Sequence, residues 1–119
     1  MAVSRILLVD DDPNILDTAK DILEDANYAV ETAGTSAAAV ERLRQEPFHV
    51  MLVDFHLPDG SGVALAAQAQ ALRPGILVIL MTGEADVQRD PTTPIHDILI
   101  KPVHPPQLLR ILAQALASA

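Results

Sequence analysis

A three-layer α/β/α sandwich built around a parallel sheet is the fold this sequence predicts, and three observations predict it. Apolar runs of four to six residues alternate with amphipathic stretches of ten to fifteen, the pattern of repeated βαβ units. The runs at residues 5 to 9, 49 to 53 and 76 to 81 are unbroken rather than alternating, as strands are when helices cover both faces of their sheet. Polar residues then close the runs: Asp10 and Asp11 after Ile6–Val9, Asp54 after Val50–Val53, Thr82 after Leu77–Met81, and Lys101 after Ile98–Ile100.

Each element has a local reason. The first strand leads through Asp12, a good N-cap, and Pro13, suited to the first helical position, into a helix with Ile15, Leu16, Ala19, Ile22, Leu23 and Ala26 at helical spacing. Asn27 closes that helix. A second strand near residues 28 to 32 is followed by Thr35 as N-cap and a helix carrying Ala39, Val40 and Leu43, which ends before Pro47. After Asp54 comes the turn Leu57-Pro58-Asp59-Gly60-Ser61-Gly62 and a third helix to about Leu72, stopped by Pro74-Gly75. The last helix starts near Pro106 and carries Leu108, Leu109, Ile111, Leu112, Ala115 and Leu116 as its apolar face. Between Thr82 and Ile98 the chain has few large apolar residues and carries Pro91 and Pro94, so a fourth helix there is expected to be short or irregular.

Composition narrows the function classes. A chain of 119 residues is expected to form a single domain over residues 1–119, with enough core to need no disulfide or structural metal. Its net charge of -8 opposes direct binding to nucleic acid or an anionic membrane surface. Without cysteine, neither a zinc ribbon nor a thiol nucleophile can be built. The N-terminus runs from Met1 into a strand with no secretory pattern, and no apolar run approaches the ~20 residues of a membrane span. The cytoplasm is the expected location.

In an open parallel sheet, ligands bind beyond the carboxyl ends of the strands. Asp10, Asp11, Asp54, Thr82 and Lys101 all fall on that edge. Like charges a few ångströms apart repel by about 1 to 4 kcal/mol at water- to surface-like dielectric values, so three carboxylates call for a cation, and Mg²⁺ suits them through its preference for oxygen ligands and a phosphate. Phosphoryl transfer needs neutralised equatorial oxygens and an in-line nucleophile, which a carboxylate can be. Asp54 is placed to attack, with the cation on one side of the phosphoryl group, Lys101 on another and the Thr82 hydroxyl on a remaining oxygen.

With these residues in view, the chain resembles the receiver domain of two-component response regulators, nearly end to end. The matching segments are Ile6-Leu-Leu-Val-Asp-Asp-Asp-Pro13, Val53-Asp-Phe-His-Leu-Pro-Asp-Gly-Ser-Gly62, Met81-Thr-Gly-Glu84 and Ile100-Lys-Pro-Val103. The resemblance implies a flavodoxin-like fold with five parallel strands in the order 2-1-3-4-5. It implies that Asp54 accepts a phosphoryl group from a sensor histidine kinase or a histidine phosphotransfer protein and passes a conformational signal to a downstream protein target, with a phosphorylation-dependent homodimer among the possible outcomes. It also implies Mg²⁺ held directly by Asp11, Asp54 and the His56 backbone carbonyl, with Asp10 acting mainly through water, and a cis Lys101–Pro102 bond. By the same likeness the side chains of His56 and Glu84 flank the water path to the acyl phosphate and tune its lifetime. Such a chain is not an enzyme in the usual sense, since it catalyses only its own phosphorylation and dephosphorylation. No output module is expected within these residues, which suits a stand-alone regulator or one domain of a larger regulator or hybrid kinase.

Ile98 departs from the pattern. Receivers usually carry an aromatic residue at this switch position, three before the lysine, so an aromatic in-or-out movement coupled to Thr82 is not available. The stretch from Thr82 to Lys101 is also shorter than is typical, which bears on signalling through the face made by the fourth helix, fifth strand and last helix. These departures favour, as an alternative, a docking domain that works without phosphorylation. A haloacid-dehalogenase-type phosphatase is the enzyme alternative; it would carry the acyl phosphate on Asp10, but Pro13 breaks its signature and it needs a late acidic pair and a cap insertion that this chain lacks. Simpler readings remove other motifs. Asp10-x-Asp12-x-Asn14 is no calcium loop, with Ile15 at the sixth position and Asp21 at the twelfth, and Gly60-Ser61-Gly62 is a turn rather than a dinucleotide fingerprint. His49, His96 and His104 lack metal-ligand spacing.

Overall fold

Five parallel strands lie in the order β2-β1-β3-β6-β7 in the computed structural model, which describes residues 3–83 and 95–117. The elements are β1 (Arg5–Val9), α1 (Pro13–Asp25), β2 (Ala29–Ala33), α2 (Ser36–Gln45), β3 (Val50–Asp54), the two-residue strands β4 (His56–Leu57) and β5 (Gly60–Ser61), α3 (Gly62–Leu72), β6 (Leu77–Thr82), β7 (Asp97–Ile100) and α4 (Pro105–Ala117). Counting the strands of the large sheet alone, this is the expected 2-1-3-4-5 order. The antiparallel β4–β5 ribbon stands apart from it, where the sequence predicts only a turn. The expectation of a short or irregular fourth helix falls on residues 84–94, outside the described residues.

Strand alternation divides the interior into two cores. Leu7, Val9, Met51, Val53, Val78 and Leu80 face one side and pack with Ala39 and Leu43 of α2 and Leu65, Ala66 and Ala69 of α3. Ile6, Leu8, Val50, Leu52, Ile79 and Met81 face the other side, with Leu23 of α1 and Leu108, Leu112 and Ala115 of α4. Both faces are therefore dry, which is the physical reason these strands read as continuous apolar runs. Each fully buried Leu or Ile contributes about 1.5–3 kcal/mol through removal from water.

Caps set the helix boundaries. The Asp12 carboxylate accepts from the Asn14 N–H at 2.9 Å with Pro13 behind it, and the Thr35 hydroxyl accepts from the Ala38 N–H at 3.1 Å. Ser61, at the end of a glycine-rich turn, accepts from the Ala64 N–H at 3.1 Å and starts α3. Asn27, just past the end of α1, takes the left-handed conformation at φ 71°, which asparagine tolerates better than most residues. The Lys101–Pro102 peptide is cis, as the resemblance implies. Among the described residues no helix is long and apolar enough to cross a membrane.

Candidate functional site

Strand register brings the polar run-ends to one rim. Val9 lies opposite Val53 and Asp54 opposite Met81, so Asp10, Asp54 and Thr82 end three adjacent central strands at nearly the same height. The Asp10 N–H still donates to the Ala33 carbonyl at 3.1 Å, extending the β1–β2 ladder by one residue. Its carboxylate then accepts from the Asp12 N–H at 3.0 Å, which turns the chain out of β1 toward α1. On the far side the Lys101 N–H donates to the Thr82 carbonyl at 2.7 Å, tying the lysine to the end of β6. Asp10 is 0% exposed, Thr82 1% and Asp54 9%, while Asp11 stands exposed at the rim.

Carboxylate oxygens of Asp10, Asp11 and Asp54 all lie within 4.8 Å of one another. The Lys101 Nζ sits 3.0 Å from Asp10 Oδ2 and 3.2 Å from Asp54 Oδ2, so one ammonium bridges two of the three acids. Burial pushes the Asp10 carboxyl up from its usual range, against the Asp12 N–H and Lys101, which favour its ionised form. For Lys101 burial acts to lower the pKa, but the hydrogen bonds and charges of Asp10 and Asp54 together outweigh it and the net shift is upward. These shifts oppose each other within one pair. We favour the charged pair, because the ammonium has two carboxylates within hydrogen-bonding distance and Asp10 has a second donor on its other oxygen. Three carboxylates against one ammonium leave a local excess of negative charge. That donor set, hard oxygens converging on one point, fits Mg²⁺.

The chain leaves the site through the ribbon. Gly62 N–H donates to the Phe55 carbonyl at 2.9 Å, and His56 pairs with Ser61 and Leu57 with Gly60. Gly62 is required by proximity: a Cβ there would lie 2.3 Å from the Asp54 carbonyl oxygen and 3.0 Å from a Leu80 methyl. At the ribbon's tip the Asp59 carboxylate accepts from the Ser36 N–H at 2.8 Å and the Ala37 N–H at 3.1 Å, at the start of α2. These bonds hold the Asp59 carboxyl below the usual carboxylate range. The sequence marks Pro58-Asp59-Gly60 as a turn, but nothing local shows what the turn docks against.

The remaining expected positions divide. His56 begins the ribbon with an exposed side chain whose ring lies edge-on to Phe55 at 4.7 Å. Ile98 is half-buried opposite Leu80 and packs on the α2/α3 core, one side-chain repeat below the level of Thr82 and Ile100. Glu84 lies outside the described residues. A cavity of about 580 Å³ opens beside Lys101, lined by Ile15, Thr18 and Ile22 of α1, Leu52 and Met81 of the sheet, and Val103. It includes none of the three carboxylates, so it is an apolar chamber next to the acidic rim rather than the seat of the chemistry.

Comparison with known proteins agrees with this geometry. The sequence model of the response regulator receiver domain family matches residues 6–113. The chain is 32% identical over 120 residues to the response regulator receiver protein CpdR of Brucella abortus, covering 98% of this chain and 100% of that one. It is 35% identical over 115 residues to the alginate biosynthesis transcriptional regulatory protein AlgB of Pseudomonas putida, covering 94% of this chain but only 26% of AlgB. Among solved structures, a CheY-like response regulator receiver domain protein from Methanospirillum hungatei superposes with a TM-score of 0.93 at 37% identity, covering 98% of this chain and 96% of that one.

Proposed function

This chain belongs to the response regulator receiver domain family of two-component systems, and from that premise we propose that Asp54 accepts a phosphoryl group from a phosphohistidine on a partner kinase or phosphotransfer protein. An Asp54 carboxylate oxygen attacks phosphorus in line, the phosphorus–nitrogen bond breaks, and its electron pair returns to the partner's imidazole. The observation that carries this reading is the meeting of Asp54 with Lys101 at 3.2 Å inside a cluster of three carboxylates. Lys101 already bridges Asp10 and Asp54, so it can follow the growing charge on a phosphoryl oxygen while keeping its bond to Asp10. Thr82, buried at the end of the neighbouring strand, supplies a hydroxyl for another oxygen. Asp11, Asp54 and the His56 backbone carbonyl would hold Mg²⁺ directly and Asp10 through water. An ion held by these groups would neutralise charge on the transferring group.

Incubation with a small phosphodonor and Mg²⁺, followed by intact mass, tests the proposal. Wild type should gain one phosphate and Asp54→Asn none. No Asp54-dependent adduct would favour a docking domain that acts without phosphate, and an adduct on Asp10 would favour the phosphatase alternative. The exposed His56 side chain is proposed to tune the lifetime of the acyl phosphate together with Glu84, and an unchanged decay rate in His56→Ala would remove His56 from that role. Signal output is proposed to leave through contacts with a downstream protein, with Ile98 transmitting any Thr82 movement by packing alone.

A further inference from the structure

Asp59 is bound at both carboxylate oxygens, although its side chain is exposed and it is neither an expected metal ligand nor a phosphoryl contact. We propose that Asp59 is a positioning residue for the cation site: by gripping the start of α2 it fixes the β4–β5 ribbon, and with it the His56 carbonyl, relative to Asp10, Asp11 and Asp54. The proposal rests on the reading of this rim as a Mg²⁺-dependent phosphoacceptor site.

The ribbon needs such an anchor. Each of its strands has two residues, and a short isolated hairpin is marginal in water even at greater length. Its base is held by the Gly62–Phe55 hydrogen bond and by the close approach of Gly62 to the Asp54 backbone. Leu57, 8% exposed, fastens one edge into the α2/α3 core. At the tip the partner is a helix start, whose first N–H groups have no carbonyl within the helix to receive them. Thr35 takes the Ala38 N–H, and the two Asp59 oxygens take those of Ser36 and Ala37. Two bonds to two oxygens set the carboxylate's orientation as well as its distance, and a negative charge suits that end of the helix.

The same turn is held from its other side. Ala33, three residues before Ser36, receives the Asp10 N–H at 3.1 Å, so the short segment 33–36 connects the backbone of one acid of the site to the tip of the ribbon. Asp10, this segment, Asp59, the ribbon and β3, which pairs with β1, thus form a closed frame that carries Asp10 and Asp54. Removal of the Asp59 side chain opens the frame at one corner and leaves its other joints, the Leu57 anchor included, in place.

The test compares the full chain with Asp59→Ala and Thr35→Ala, the second of which weakens the same helix end without releasing the ribbon. Mg²⁺ binding is measured by calorimetry with the metal alone, and the rate of phosphate uptake from a small phosphodonor is followed across Mg²⁺ concentrations. Loss of groups that orient metal ligands lowers metal affinity by about 10-fold or more, so Asp59→Ala should need about 10 times more Mg²⁺ for half-saturation. Its uptake rate at saturating Mg²⁺ should match wild type, and Thr35→Ala should keep wild-type Mg²⁺ affinity. Unchanged Mg²⁺ affinity in Asp59→Ala, or an equal loss in Thr35→Ala, overturns the proposal while an Asp54-dependent adduct on wild type leaves the phosphoacceptor reading standing. A wild-type chain that neither binds Mg²⁺ nor takes phosphate overturns both.

Discussion

Asp11 carries a charge exposed at a rim where Asp10 and Asp54 already share the Lys101 ammonium. With carboxylate oxygens within 4.8 Å, the added repulsion amounts to about 1 kcal/mol or somewhat more at a wet surface. Asp11→Asn should therefore raise the free energy of unfolding by about 1 kcal/mol in a metal-free buffer containing a chelator. In millimolar Mg²⁺ the order should reverse, because wild type then gains binding energy that the variant lacks. Urea denaturation followed by circular dichroism under both conditions checks the sign in each. At this scale the sequence was readable for the acids and the lysine, since Asp10, Asp54 and Lys101 stand directly after apolar runs that fix their height on the sheet and Asp11 follows Asp10. Asp59 was not, because its partners Ser36 and Ala37 lie 23 and 22 residues away and nothing in Pro58-Asp59-Gly60 names them.

Helix α2 is held at both ends by side chains that flank α3. Asp59 takes two N–H groups at its start, and Arg73, at the end of α3, donates from Nε to the Leu43 carbonyl at 2.8 Å and from a terminal nitrogen to the Arg44 carbonyl at 3.3 Å. An acid at the positive end and a base at the negative end both suit the helix dipole. The folded-state pKa of Asp59 lies below its ordinary value of 3.8, so its contribution is fully present above that value and is lost as pH falls through the lower folded pKa. The melting-temperature gap between wild type and Asp59→Asn should accordingly be widest near neutral pH and close below about pH 3.8, as thermal melts across that range would show. Helix periodicity and caps were legible for α1 and α2, with Asp12 and Thr35 where the sequence put them. The β4–β5 ribbon was not. Two-residue strands carry no periodicity, and this pair exists because Leu57 finds the core and Asp59 finds α2.

At the largest scale, the five-stranded sheet of the described residues is shared by two cores. Leu43 of α2 and Leu112 of α4 are both fully buried but lie on opposite faces. Since every central strand contributes to both cores, loss of packing on either side withdraws support from the same ladder. Leu43→Ala and Leu112→Ala should each cost about 2–5 kcal/mol, and each should move a single cooperative transition. Two transitions in either variant, seen by urea titration with far- and near-ultraviolet circular dichroism, would contradict the shared-sheet account. The same arrangement explains the site's construction. Asp10 and Asp54 continue the face of Leu8 and Leu52, while Thr82 continues that of Val78 and Leu80, so the rim collects groups from both sides of the sheet.

Alone, the sequence determined the parallel sheet, its strand order through family resemblance, and the set Asp10, Asp11, Asp54, Thr82 and Lys101, because strand-end position follows from run length and needs no knowledge of distant contacts. The tertiary structure decided what surrounds that set. It placed Lys101 between two of the three acids, pressed Gly62 against the Asp54 backbone, and joined the Asp59 turn to the start of α2. Those contacts arise where separate elements meet, and their partners are chosen by the path of the folded chain through space rather than by any local pattern of residues.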